Sequence, residues 1–152
     1  MPKHRISSLE ELNAFTAKFL EQHASGCVLA LSGELGAGKT TFVRSILEKL
    51  AKDEDKTPPK VASPSFVLHQ SYLAYQRTVD HFDLYRLEGV TQSGLLEIGY
   101  YDAWERAKTH RGFVFVEWPE KAASLEDLKL DKFLKIHLGK DLSERQFEWV
   151  SA

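Results

Sequence analysis

The sequence predicts an α/β fold: a mostly parallel central sheet with antiparallel additions, flanked by helices. Three observations carry this expectation. Cys27–Leu31 and Phe113–Val116 are continuous apolar runs, the pattern of strands covered on both faces. A glycine-rich loop, Gly33 to Gly38, follows the first run and opens directly into a helical pattern over Lys39–Lys52. The length, 152 residues, suits a single domain spanning residues 1–152.

Each element has its own signal. Ser8 and Glu11 form a capping box, and Leu12, Phe15, Phe19 and Leu20 recur at helical spacing, so a helix is expected over 8–24 and stops at Ser25-Gly26. In Lys39–Lys52, Phe42, Val43, Ile46, Leu47 and Leu50 share one side. Residues 52–60, KDEDKTPPK, read as an exposed connection. Phe66–Tyr75 and Thr78–Tyr85 are rich in β-formers and separated by Gln76-Arg77, which suggests a hairpin or two neighbouring strands. Residues 90–108 carry mixed helical signals broken by Gly94 and Gly99. Leu134, Ile136 and Leu138 alternate with Lys135 and His137 as in a half-buried strand, and Arg145–Val150 pairs with it across a turn. The antiparallel additions are expected from 66–85 and 134–150.

Composition excludes several function classes. Apolar residues make up 43% and charged residues 28%, ordinary for a folded domain rather than a disordered chain. Net charge is −2, which argues against a basic nucleic-acid grip as the main device. The lone Cys27 excludes an internal disulfide framework and a Cys-rich zinc site. No targeting segment is visible at the N-terminus, and no apolar run approaches the ~18 residues of a membrane span. The chain is expected to be soluble and cytoplasmic, with no membrane partner.

The chemistry concentrates in Gly33-Glu34-Leu35-Gly36-Ala37-Gly38-Lys39-Thr40, a full match to the phosphate-loop pattern G-x-x-x-x-G-K-[ST]. Glycines let the main chain approach phosphate, and successive N–H groups at a helix start form an anion-binding nest. Lys39 would reach the β- and γ-phosphates, Thr40 would ligate Mg²⁺, and Thr41 is placed to touch the α-phosphate. The bland reading is an incidental glycine-rich turn, which the flanking strand and helix disfavour.

Such a loop needs an acid for its metal, at the C-terminal end of a neighbouring strand. Two candidates fit. Glu117 directly follows four apolar residues, and Asp83 shares a strand face with His81, two positions before it. Either is otherwise a strand-end carboxylate with a local hydrogen bond. Ser63-Pro64-Ser65-Phe66 reads as a γ-phosphate-sensing switch or as a turn that starts a strand. Trp118, held extended by Pro119, either stacks near the site or fills the core. Arg86 counters phosphate charge or pairs with a carboxylate. The remaining histidines show no metal-ligand spacing.

Taken together, GELGAGKTT, SPSF, HFDLYRL and VEWPEK, in this order, resemble the bacterial TsaE (YjeE) family of small ATPases needed to make threonylcarbamoyladenosine (t6A) in tRNA. The resemblance implies a phosphate-loop NTPase domain with ATP and Mg²⁺ as cofactors. Gly36, Ala37, Gly38, Lys39, Thr40 and Thr41 would wrap the phosphates. Thr40 and Glu117 would hold Mg²⁺, and Asp83 would lie beside both. Lys39, Asp83 and Glu117 are the implied catalytic set. Ser65 stands where the family usually has Thr in its switch-like segment. Trp118 and Glu120 would lie near the nucleotide. It also implies partners, TsaD and TsaB, which act on tRNA, so that tRNA is met only through the complex. The other classes considered are a small-molecule kinase and a nucleotide-holding switch. A kinase usually carries an Arg-rich lid, and only Arg106 and Arg111 stand near the helical segment. A Ras-type switch needs N-K-x-D, and the only Asn is Asn13.

Overall fold

Val28, Leu29, Ala30 and Leu31 are completely buried because their strand runs through the middle of the sheet with an apolar layer on each face. The computed structural model describes residues 3–61, 68–72, 76–141 and 143–151. Among these the order is β1 (Lys3–Ile6), α1 (Leu9–Gln22), β2 (Cys27–Ser32), α2 (Lys39–Asp53), β3 (His69–Tyr72), β4 (Val79–Asp83), α3 (Gln92–Glu97), α4 (Tyr100–Thr109), β5 (Phe113–Glu117), β6 (Lys132–Leu138) and β7 (Arg145–Val150). The seven strands form one sheet in the order β1-β7-β6-β2-β5-β4-β3.

The centre is parallel: β6 with β2, β2 with β5, and β5 with β4. The margins are antiparallel: β3 with β4, β6 with β7, and β7 with β1. The α/β class and the mixed sheet therefore agree with the sequence reading, with a correction of detail. Residues 78–85 were expected among the antiparallel additions, yet β4 is parallel to β5 and only its other neighbour, β3, is antiparallel. The reason is the crossover through α3 and α4, which returns the chain to the end where β4 began. The strand expected over 66–75 appears as β3; 66–67, 73–75 and the Ser63–Phe66 segment with Ser65 lie outside the described residues.

α1 starts where the box was read. Ser8 Oγ accepts from Glu11 N at 3.1 Å, and the Glu11 carboxylate accepts from Ser7 N and Ser7 Oγ, closing the box one residue early. α1 and α2 cover one face of the sheet. Their seam is aromatic: the Phe42 ring meets Phe15, Phe19, Phe115 and Phe147 at centroid distances of 5.7–6.5 Å. α3 and α4 cover the other face, over Val28, Phe82, Val114 and Val116. There Asp80, fully buried, binds Arg106 Nη2 at 2.8 Å and His69 Nε2 at 2.7 Å, tying β4 to α4 and β3. Among the described residues no helix is long and apolar enough to cross a membrane.

Candidate active site

The loop between β2 and α2 owes its shape to glycine. Gly38 sits at φ 112° as the N-cap of α2 and offers no side-chain cap. A Cβ there would meet nothing within 4 Å, so backbone conformation rather than crowding calls for glycine. The first amides of a helix have no intrahelical partner. Thr41 is exposed on the first turn of α2.

Lys39, only 5% exposed, folds back over the loop. Its Nζ donates to Gly33 O, and to Glu34 O at 3.0 Å, and lies 4.5 Å from the centroid of the Trp118 ring. Burial lowers its pKa, while Glu117, Asp83 and Glu120 pull in the opposite direction.

The acids arrive from two strand ends. Asp83 and Glu117 close β4 and β5 and stand opposite each other in the parallel register, and Glu117 is also opposite Leu31 of β2. Both are buried, at 6% and 3% exposure. Thr40 Oγ1 donates to Glu117 Oε2 at 3.1 Å. His81 Nε2 reaches the same oxygen at 2.5 Å. His81 Nδ1 is buried without a partner among the described residues. Asp83 Oδ1 accepts from Tyr85 N at 2.9 Å. Burial raises the Asp83 pKa, the Tyr85 amide opposes it, and the Glu117 charge adds to the rise.

Trp118 departs from its expected extended form. It is left-handed, at φ 60° and ψ 51°, a costly conformation for a bulky residue and one that Pro119 does not favour. Its N–H donates to Leu31 O at 3.3 Å, and its ring meets Tyr85 at 4.9 Å and Lys39. The sharp turn at the end of β5 thus lays the indole beside the loop. Trp118 and the exposed Glu120 line a groove of about 490 Å³ with Ser32, Gly33, Glu34 and the end of β6. A larger groove, about 940 Å³, lies between β1, α1 and β7 against Phe15, Phe19 and Trp149, and shares no residue with the acid cluster.

The structure thus brings together Gly36–Thr41, Asp83, Glu117, Trp118 and Glu120. Arg86 is exposed beyond β4. Sequence reasoning missed two residues. His81 was seen only as sharing a face with Asp83, because its bond to Glu117, 36 positions away, depends on the β4–β5 register. Arg145 Nε donates to Ala37 O at 2.9 Å from 108 positions away, and no local signal marks it.

A family model described as threonylcarbamoyl adenosine biosynthesis protein TsaE matches residues 6–147. This chain belongs to the TsaE family. Its relatives include the tRNA threonylcarbamoyladenosine biosynthesis protein TsaE of Rickettsia conorii, 30% identical over 77% of this chain and 61% of the relative. The TsaE of a Nostoc species is 37% identical over 66% of this chain and 57% of the relative. The chain therefore spans about three fifths of the length of these two TsaE proteins. The crystal structure of Bacillus subtilis YdiB superposes with a TM-score of 0.61 and 26% identity, covering 97% of this chain and 83% of that one.

Proposed function

We propose that this chain binds and hydrolyses ATP with Mg²⁺ as a component of the cytoplasmic t6A machinery. In this reading it acts with TsaD and TsaB and meets tRNA only through them. The observation that carries the nucleotide reading is one cluster: the uncapped start of α2 beside Thr40, Glu117 and Asp83. Membership of a family described by threonylcarbamoyl adenosine biosynthesis supports the pathway.

The donor set suits the metal. Thr40 Oγ1 and a Glu117 carboxylate oxygen, 3.1 Å apart, are hard oxygen donors. Among the described residues no group of three or more His, Cys, Asp or Glu forms a protein cage. Mg²⁺ prefers to keep waters and phosphate oxygens beside one or two protein donors. When bound, it would neutralise charge on the phosphates. The chain's own part is positional. Amides of residues 36–41 would hold the β- and γ-phosphates. Lys39 would leave the carbonyls of Gly33 and Glu34 for the phosphates. His81 would keep the Glu117 carboxylate turned toward Thr40, and Asp83 would orient water beside them. This is catalysis by positioning and electrostatics. Weak intrinsic turnover belongs to this reading, with stimulation by the partners.

The test is ATP turnover with and without purified TsaD–TsaB. Stimulation is expected, and unchanged turnover would contradict the partner assignment. Glu117→Ala should cut Mg²⁺-dependent turnover about 100-fold, the scale of a lost charge-positioning group, with a smaller loss of nucleotide binding. Equal loss of both would count against Glu117 as a metal ligand.

A further inference from the structure

Four carbonyls of the phosphate loop are tied down by cations. Lys39 Nζ holds Gly33 O and Glu34 O from within. Arg145, the first residue of β7, holds two more: Nε donates to Ala37 O at 2.9 Å and Nη2 to Gly36 O at 3.3 Å. Its Nη1 donates to its neighbour Glu144 O at 2.9 Å, so the planar fork is fixed in one orientation.

The fold delivers Arg145 to this place. It stands opposite Leu138 at the end of β6 and opposite Ile6 at the end of β1. Gly139 N donates to Glu144 O at 2.8 Å, closing the β6–β7 turn just before it. On the other side, the loop lies tight against β6: a Cβ on Gly33 would come within 2.5 Å of Ile136 O. The side chain therefore needs to bridge only the width of β6.

We infer that Arg145 is a positioning residue for the phosphate site, holding the loop carbonyls of Gly36 and Ala37 away from the ligand so that the loop keeps its shape and the Gly38 amide stays aimed at the phosphate. Peptide groups are rigid, so fixing a carbonyl fixes the orientation of the amide that follows. The amides so fixed belong to Ala37, which donates to Glu34 O at 3.0 Å within the loop, and to Gly38, which is left for the ligand. The role grows when ligand binds. Lys39 cannot hold Gly33 O and Glu34 O and also contact phosphate fully, so Arg145 is the cation that continues to hold the loop. Its hydrogen bonds are charge-assisted and made without touching the phosphate.

This inference rests on the phosphate reading of the loop, and the experiment separates the two. Binding of Mg²⁺-tripolyphosphate and of a non-hydrolysable ATP analogue is measured by calorimetry on the full chain, at a temperature where circular dichroism shows each variant folded. Arg145→Gln should weaken both ligands about tenfold, the scale of one lost charge-assisted hydrogen bond. Arg145→Lys, which keeps the charge and loses the fork, should fall between. Arg5→Gln, which removes the neighbouring Arg5–Glu144 pair, should leave both affinities within about twofold, as for an exposed pair. Wild-type affinity in Arg145→Gln, with wild type itself binding, overturns the inference alone. Failure of the wild type to bind either ligand overturns the phosphate reading as well. If Arg145→Gln does not fold, Arg145→Lys decides: wild-type affinity there also overturns the inference.

Discussion

Asp83 is held in a place that opposes its charge. Burial lifts its pKa, and the Glu117 carboxylate beside it adds to the rise. An acid whose pKa is raised by folding favours the folded state most at a pH below its unfolded value, about 3.8, and that contribution is lost as pH rises through the folded value. Above that window the raised pKa therefore subtracts from stability in the ligand-free protein. Asp83→Asn keeps the Oδ1 acceptor for the Tyr85 amide and removes the charge. It should raise the thermal midpoint at pH 7 by about 2–4 °C, the shift that ~1 kcal/mol gives a domain of this size, while turnover falls. A lower midpoint would show that the charge is already compensated. Trp118 carries strain of another kind, a left-handed backbone that costs about 1–3 kcal/mol. Of these two features, the turn at Trp118 was not legible in the sequence, whereas the carboxylate was. Its strand-end position and its spacing from His81 are local facts. The Trp118 turn is set by contacts with Leu31, Tyr85 and Lys39, which lie far along the chain.

At the scale of elements, α2 is pinned by Phe42, which meets four aromatic rings from α1, β5 and β7. Phe42→Ala should cost about 3–5 kcal/mol, the usual range for emptying such a site, read by chemical denaturation. A cost under ~1 kcal/mol would mean that the seam closes over the gap. On the opposite face, Asp80 clamps β4 to α4 and β3. Burial would raise its pKa, but hydrogen bonds from His69 and Arg106 outweigh that and hold it below the usual 3.8. A lowered acid stabilises above its unfolded pKa, and the contribution is lost as pH falls through the folded value. Asp80→Asn should therefore destabilise across the neutral range, and the gap from wild type should close only below about pH 4. A gap that stays constant down to pH 3 would contradict this account of the clamp. The helices and the buried strands were legible because their periodicity and capping are written locally. β1 was not, because the four residues Lys3–Ile6 carry no alternation and become a strand only by pairing with β7.

Across the whole molecule, the parallel centre of the sheet aligns the ends of β2, β4 and β5 along one edge. That alignment converts three separate sequence segments into one site: the loop after β2, Asp83 after β4 and Glu117 after β5. The sequence held each segment, and the rule for open α/β sheets placed them at a common edge before any contact was known. It did not hold Arg145, which reaches the loop only because the antiparallel pair β6–β7 turns back beside it. The central claim is that a triphosphate rests against the amides of residues 36–41. The measurement that bears on it most directly is a crystal structure of the full chain with a non-hydrolysable ATP analogue and Mg²⁺. The β- and γ-phosphates should lie about 2.7–3.2 Å from those amides, with the metal on Thr40 and Glu117. Phosphates bound elsewhere, with the loop left vacant at saturating analogue or plugged by a side chain, would contradict it.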